Sequence, residues 1–153
     1  MKLELKHLSP YLPHKLQVSI NKNGWEYMIS GNSNIAELRG LYGDDICLLY
    51  QGNEGFDLDF ESFELILRPK SDLVKEIEIN CKKFVPAWVL WYVLIEEEED
   101  FEVYGEIPYY WKNNLNLDFE NDLTYREMKY LFKWHFDVFG LIEKGLAIDI
   151  NTL

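Results

Sequence analysis

Carboxylate pairs are the commonest arrangement in this chain that could carry out chemistry. Asp57 and Asp59 alternate with Phe56, Leu58 and Phe60, so both carboxylates would lie on one face of a strand. Two carboxylates placed in this way can bind a divalent cation or act as a general acid and base. The chain contains 27 acidic residues among its 153, so such pairs are expected from composition alone. We therefore predict no catalytic residue and no metal ligand, and a carboxylate-based, metal-dependent enzyme ranks third among the hypotheses.

The three histidines do not form a metal-binding or catalytic pattern. His135 and Asp137 are two residues apart in a predicted helix, so their side chains would point to different faces. His7 and His14 lack the spacings that zinc sites use. The sequence also has no glycine-rich phosphate-binding motif. We predict no cofactor and no enzymatic activity.

Acidic residues dominate the charge of the chain and are concentrated in three blocks. The formal net charge is −12, from 27 acidic and 15 basic residues. The three acidic blocks are Asp57, Asp59, Glu61 and Glu64; Glu96, Glu97, Glu98, Glu99, Asp100, Glu102 and Glu106; and Asp118, Glu120 and Asp122. On one face of the molecule, these carboxylates would imitate a phosphate array and compete for the basic groove of a nucleic-acid-binding protein. The alternative is that an acidic surface only keeps the protein in solution.

The same charge argues against two classes of partner. A strongly negative protein repels phosphate backbones and anionic lipid headgroups, unless a local basic patch opposes its net charge. The densest basic stretches are Lys82-Lys83 and Lys129 to Lys133, which lie beside aromatic or acidic residues and do not form such a patch. We expect no direct contact with nucleic acid or with a membrane, and we expect a protein partner, most simply a basic one.

An aromatic triplet is the best candidate for an apolar protein contact. Tyr109, Tyr110 and Trp111 follow Pro108 in a polar, loop-like region. Exposed aromatic residues of this kind are frequent anchors in protein interfaces, and burial in the core is the alternative. The triplet and part of the acidic blocks make up the predicted partner-binding set, which is Tyr109, Tyr110, Trp111, Asp57, Asp59, Glu61, Glu96, Glu97, Glu98, Glu99 and Asp100.

Alternating apolar residues predict short strands in the first part of the chain. Leu16 to Ile20 has the alternation of a half-buried strand. The Asn23-Gly24 dipeptide predicts a hairpin turn that leads to a second strand, Trp25 to Ile29. Further extended segments are expected at Ile35 to Leu41, with a turn of helix as the alternative, and at Ile46 to Tyr50, Phe56 to Phe60 and Phe63 to Leu67. Together they predict an antiparallel meander or a small barrel.

After Pro69 the pattern becomes helical. Ser71 is a suitable N-cap, with Leu73, Val74 and Ile77 on one helical face. The segment Val85 to Ile95 is apolar nearly all round, which predicts a buried helix, with a central strand as the alternative.

The clearest helix begins at a capping box, Thr124 to Glu127. An apolar stripe from Tyr125 to Phe139 predicts that it continues to Gly140 or Gly145, and Leu146 to Ile150 predicts a final strand. The predicted fold class is α+β, with an N-terminal antiparallel β meander or small barrel followed by a mainly helical C-terminal half. We expect a single domain over residues 1–153, or two packed lobes, 1–68 mainly β and 69–153 mainly α.

The sequence also shows no secretory signal and no membrane-spanning segment. Lys2 to Lys6 alternates charged and apolar residues, unlike a secretory signal. The longest apolar run, Val85 to Ile95, is far shorter than the ~20 residues needed to span a bilayer. Cys47 and Cys81 have no CxxC spacing. We expect a cytoplasmic protein with reduced thiols.

Four stretches of the sequence, taken together, are similar to a known family. They are Lys2 to Leu8 with Pro10 to Pro13, Leu67 to Leu73 with Glu76-Ile77, Lys83 to Pro86, and the tail Trp134 to Asn151. In these stretches, about a third of the chain, it resembles a family of small uncharacterised proteins encoded by bacterial phages and prophages. The family has no established activity, so the resemblance implies no site residue.

The context that the resemblance implies is an accessory protein of a mobile element, acting inside a bacterial cell by binding another protein. An acidic inhibitor of a basic or nucleic-acid-binding partner is the specific form of this hypothesis. A small structural or assembly protein that self-associates through an apolar edge is the alternative.

Overall fold

The structure is a computed structural model that describes residues 2–20, 34–42, 45–50, 53–58, 60–95 and 119–153. The chain divides into two compact units, the first formed by Met1–Leu67 with Gly140–Leu153 and the second by Arg68–Phe139. The described strands are β1 (Gln17–Ile20), β2 (Ile35–Tyr42), β3 (Asp45–Tyr50), β4 (Asn53–Leu58), β5 (Phe63–Leu67), β6 (Ile77–Ile79), β7 (Lys82–Phe84) and β8 (Ala147–Asp149). The described α-helices are α1 (Leu5–Leu8), α2 (Pro86–Ile95), α3 (Phe119–Asp122) and α4 (Tyr125–Lys133).

A six-stranded sheet with the strand order β4-β3-β2-β1-β5-β8 forms the first unit. Strand β1 lies between β2 and β5 and pairs antiparallel with both, with Val18 opposite Ala36 on one side and Leu65 on the other. Val18 and Ile20 are 0% and 2% exposed. The predicted strand is therefore confirmed as β1, but it is not half-buried as predicted, because Ser19 on the opposite face is buried as well.

The tail of the chain completes this sheet. Strand β8 pairs parallel with β5, with Leu65 opposite Ala147 and Leu67 opposite Asp149. Leu65, Ile66 and Leu67 are all at most 1% exposed. A strand that is apolar on both faces is typical of one that is covered on both sides. The final strand predicted at Leu146 to Ile150 is confirmed as β8, which covers Ala147–Asp149.

The second unit has a small two-stranded sheet and a helical core. A 3₁₀ helix, Lys70–Val74, leads into β6 and β7, which pair antiparallel. The hairpin turn uses Asn80 (φ 52°) and Cys81 (φ 63°), two consecutive left-handed residues of the kind that a tight hairpin turn requires. The unit's buried cluster is Leu73, Ile77, Ala87, Val89, Leu90, Phe119, Leu131, Trp134, Phe136 and Val138.

Helix α2 confirms the helical interpretation of the segment that begins at Val85. Pro86 occupies the first helical position, where its missing N–H costs nothing. Ala87, Val89 and Leu90 are buried in the core cluster, and Trp91 packs against it. This burial accounts for the apolar side chains in the first part of the helix. Among the described helices, none has the length and apolarity needed to cross a bilayer.

The predicted fold class is wrong, because the C-terminal half is not mainly helical. It contributes β6, β7 and β8, and its described helices have ten, four and nine residues. The helix predicted after Ser71 is a five-residue 3₁₀ helix, and Ile77, assigned to its apolar face, lies in β6. Three apolar residues fit a helical face and a short strand equally well, so periodicity over so few residues did not discriminate.

The helix that begins at the Thr124 capping box also ends earlier than predicted. Helix α4 stops at Lys133, and His135 has φ 60°, a left-handed conformation that an α-helix cannot include. Phe136 instead forms a parallel β-bridge with Arg68. The apolar residues beyond Lys133 are therefore buried by an irregular segment. Tyr125, placed on the predicted apolar stripe, is 87% exposed.

The hairpin predicted at Asn23-Gly24 and the strand Trp25 to Ile29 lie outside the described residues. Cys47 is buried and Cys81 is exposed, and no disulfide joins them.

Candidate interaction surfaces

The first acidic block lies at the end of the sheet formed by β4. Asp57 is in β4, which is the terminal strand of the described sheet, and Asp59 lies outside the described residues. Glu61 lies in the turn between β4 and β5, and its side chain is 74% exposed. Glu64 is half-buried in β5, opposite Ser19. The described side chains of this block are therefore accessible to solvent.

Glu61 forms an ion pair with Lys2 on the same surface. The Lys2 Nζ donates a hydrogen bond to Glu61 Oε1. This hydrogen bond, and secondly the charge of Lys2, hold the pKa of Glu61 below its ordinary value. The pKa of Lys2 is raised by the same two causes. Both side chains are fully charged at neutral pH, and the pair contributes little to stability because it is exposed.

The other predicted partner-binding residues lie outside the described part of the chain. These residues are Tyr109, Tyr110, Trp111, Glu96, Glu97, Glu98, Glu99 and Asp100. Of the third acidic block, Glu120 and Asp122 belong to α3, and Asp122 is exposed. Whether the three blocks meet on one face stays a prediction.

Three carboxylates are buried in the described structure, and none belongs to the acidic blocks. Asp72, Glu127 and Asp137 are 3%, 3% and 4% exposed. Glu127 completes the capping box of α4, where its Oε2 accepts hydrogen bonds of 2.8 Å from the N and the Oγ1 of Thr124. The structural use of Glu127 explains its burial.

Asp72 lies between two cations. Its Oδ1 accepts a 2.7 Å hydrogen bond from Lys75 Nζ, and its Oδ2 lies 3.7 Å from Arg68 Nη1. The Arg68 side chain is 14% exposed, and its Nε is buried without a hydrogen-bond acceptor among the described residues. The Arg68 backbone is held as well, because its N donates to His135 O (2.8 Å) and its O accepts from Asp137 N (2.9 Å). This cluster joins the start of the second unit to its end and has a structural role.

His135 and Asp137 do not lie in the helix predicted for them, because α4 ends at Lys133. Both residues flank the bridge between Phe136 and Arg68, and the backbones of both form hydrogen bonds with the Arg68 backbone. In the described ranges, no group of three or more His, Cys, Asp or Glu side chains has the arrangement of a metal site.

Sequence reasoning missed a cationic surface on α4. Arg126, Lys129 and Lys133 are all exposed, and they recur at intervals of three and four residues, which places them on one side of the helix. In the linear sequence, other residues separate these three cations, so they do not form a continuous run of basic residues. A helical projection of residues 125–133 reveals them, so the signal was present in the sequence.

The chain matches no family model, no curated protein and no solved structure. The resemblance to phage and prophage proteins therefore stands on the four sequence stretches alone and stays an expectation.

Proposed function

We propose that the chain is a non-enzymatic accessory protein of a bacterial phage or prophage, and that it binds another protein through its acidic blocks. The partner is a basic protein, and the specific form of the proposal is an inhibitor that occupies a nucleic-acid-binding surface. The carboxylates of the blocks would take the place of backbone phosphates in the partner's groove.

One observation carries this proposal, namely that the buried carboxylates and the carboxylates of the acidic blocks are different residues. The buried carboxylates of Asp72, Glu127 and Asp137 lie outside the blocks, whereas Glu61 and Asp122 inside them are exposed. The exposed block residues are accessible to a partner, and the surface pair of Glu61 with Lys2 contributes little to stability. Their concentration then needs a reason other than stability, and solubility alone does not require blocks.

The distribution of charge along the chain supports the same conclusion. Residues 96–122 contain ten acidic residues and a single basic one, Lys112, for a net charge of −9. A segment of this density would attract a basic surface over roughly one Debye length, about 8 Å at physiological salt, and would accelerate the encounter. Complementary charge of this kind mainly sets specificity and the association rate.

Self-association remains the second candidate function, and one feature of the sheet favours it. Strands β4 and β8 are the two terminal strands of the described sheet. A terminal strand has backbone groups on one side that can pair with a strand from another molecule. Light scattering at several protein concentrations tests this candidate, because it predicts a mass that rises with concentration.

A pull-down from bacterial lysate with the tagged full chain tests the first proposal. The block variant carries Glu96→Gln, Glu97→Gln and Glu98→Gln. The matched control carries Glu76→Gln, Glu78→Gln and Glu143→Gln, three exposed acids outside the blocks. Both variants remove three negative charges, so a difference between them reports position rather than net charge.

We expect basic proteins to be retained at low salt and released at high salt, and retention by the block variant to fall about tenfold. The control variant should retain them almost as well as the natural chain. Equal retention by the block variant and the control would refute the proposal, and so would binding that does not depend on salt.

A further inference from the structure

The exposed side chains of helix α4 all lie on one face. Tyr125 is 87% exposed, and Arg126, Lys129 and Lys133 are exposed as well. Successive residues of an α-helix are separated by about 100°, so these four side chains fall within an arc of about 100°. The three cations span about 10.5 Å along the helix axis. We call these four residues the α4 cationic face.

No acidic side chain of the helix offsets this charge. Glu127 is the one acidic residue in α4, and it is 3% exposed and engaged with Thr124 in the capping box. Ion pairs between described residues use other cations, namely those of Lys2, Lys6, Arg39, Arg68 and Lys75. The charges of the α4 cationic face are therefore not neutralised within the described structure.

The described part of the second unit contains further cations. Residues 68–95 and 119–139 contain eight basic and seven acidic residues, and three of those acids are the buried Asp72, Glu127 and Asp137. The exposed charge of this part is positive in a chain whose net charge is −12.

Helix stability does not explain the arrangement. Arg126 lies in the first turn, where the positive end of the helix dipole disfavours a cation. Lys133 does suit the last turn, and its Nζ lies 5.9 Å from the ring centroid of Tyr130. The exposed ring of Tyr125 contributes nothing to the core. At least two of the four side chains therefore have no role in forming the helix.

The β6-β7 hairpin packs beside α4 through aromatic rings. The Phe84 ring lies 5.0 Å from Trp134, and the Trp134 ring lies 5.3 Å from Tyr130 in α4 (both distances between centroids). Lys82 is exposed and shares the face of β7 with Phe84, since alternate strand residues point to the same side. Lys83 is opposite Glu78 in the strand register, which offsets its charge.

We propose that the α4 cationic face is a docking site for an acidic segment of a separate partner protein. Carboxylates on alternate residues of an extended segment are about 6.8 Å apart, so two of them fit along the 10.5 Å or so of this face. Tyr and Arg are enriched among the residues that dominate protein interfaces, and Tyr125 and Arg126 are adjacent here. The α4 cationic face contains no residue of the acidic blocks, and the proposal does not depend on their role.

Charge density favours a short acidic segment over a nucleic acid. A duplex carries about one charge per 1.7 Å and continues far beyond one Debye length, about 8 Å. It would extend beyond three cations and meet the field of a strongly acidic chain. A second copy is disfavoured for a similar reason, because it brings another net charge of −12. A partner segment with a few carboxylates avoids both costs.

Fluorescence anisotropy with the full chain tests this docking site. The probe is a labelled synthetic peptide with four glutamates around one phenylalanine, and its counterpart has glutamine in place of each glutamate. The face variant carries Arg126→Gln, Lys129→Gln and Lys133→Gln, which preserves helix propensity. The matched control carries Lys6→Gln, Lys15→Gln and Lys144→Gln, three exposed lysines of the first unit. Far-UV circular dichroism checks the fold of both variants.

We expect the glutamate peptide to bind the natural chain, and the face variant to lose roughly tenfold in affinity while the control changes less than about twofold. The variant Tyr125→Ser, which leaves every charge in place, should weaken binding several-fold. The glutamine peptide should not bind.

Four results would overturn the proposal. The first is no binding of the glutamate peptide, and the second is an equal loss of affinity in the face variant and the control. The third is tighter binding of a labelled oligothymidylate than of the peptide, which would assign the face to single-stranded nucleic acid. The last is concentration-dependent self-association of the natural chain that the face variant abolishes, which would assign it to a second copy.

Discussion

Replacement of Asp72 by alanine should destabilise the second unit more than any other single charge removal in its cluster. The carboxylate is 5% exposed at the side-chain level and interacts with Lys75 (60% exposed) and Arg68 (14% exposed). The contact with Lys75 counts for little, because an exposed cation is well solvated without its partner, so we assign it at most about 1 kcal/mol.

The cost of Asp72→Ala therefore comes mainly from Arg68. Its guanidinium would keep its buried position but lose the nearby carboxylate, and its Nε already has no acceptor among the described residues. An uncompensated buried charge costs about 3–5 kcal/mol. The 3.7 Å separation and the residual exposure of Arg68 place the expected loss at the lower end, about 3 kcal/mol. For a chain of this length, that loss lowers Tm by about 6–12 °C.

Urea unfolding followed by tryptophan fluorescence measures the effect, since Trp88 and Trp134 belong to the same unit as Asp72. Lys75→Met is the matched single variant, with an expected loss of no more than about 1 kcal/mol. Arg68→Met combined with Asp72→Ala should cost less than the sum of the two single changes, because the double variant leaves no unpaired charge. The reasoning is refuted if Asp72→Ala costs no more than Lys75→Met, or if the double variant is strictly additive.

Three further predictions follow from local geometry. Thr124→Ala should destabilise the protein by about 1 kcal/mol, through loss of the α4 cap, and urea unfolding would contradict this by showing no change. Because Lys2 lowers the pKa of Glu61, their ion pair stabilises the fold above the unfolded pKa of about 4.3, and this stabilisation is lost as the pH falls through the lower folded pKa. In Lys2→Gln, an NMR titration should measure a Glu61 pKa closer to its ordinary value. Cys81→Gly should raise Tm, because glycine adopts the left-handed conformation of the Asn80-Cys81 turn without strain, and a lowered Tm would contradict that reading.

Local signals in the sequence predicted individual elements well where they were self-contained. The capping box at Thr124 needs only residues within one turn, and the structure forms it. The alternation around Val18 identifies β1, although Ser19 on the opposite face of the strand is buried as well. The apolar segment after Pro86 is a helix because it is buried in a core cluster on several sides.

The fold class could not be predicted because it depends on contacts between distant residues. The parallel pairing of β8 with β5 joins segments about eighty residues apart, and nothing in either segment encodes its partner. The early end of α4 depends on the bridge between Phe136 and Arg68, which replaces a further helical turn. Both cases are tertiary interactions that override local periodicity.

The candidate surfaces also combine features that are visible in the sequence with features that only the structure shows. The acidic blocks are a property of composition and are visible in the sequence, but their grouping in space is not. The α4 cationic face required the helix boundaries and the burial of Glu127, which removes the one acidic side chain from the exposed charge of α4. The net charge of −12 gives no indication of this small positive surface.

Competition with DNA on a basic protein captured by the chain tests whether the acidic blocks occupy that protein's nucleic-acid-binding surface. The purified partner is bound to labelled duplex DNA at low salt, and the chain is titrated in while the anisotropy of the DNA is followed. We predict that the natural chain displaces the DNA, that the variant with Glu96→Gln, Glu97→Gln and Glu98→Gln needs about tenfold more protein, and that the control with Glu76→Gln, Glu78→Gln and Glu143→Gln behaves like the natural chain. A complex that contains the chain, the partner and the DNA together would contradict the claim that the acidic blocks occupy the partner's nucleic-acid-binding surface.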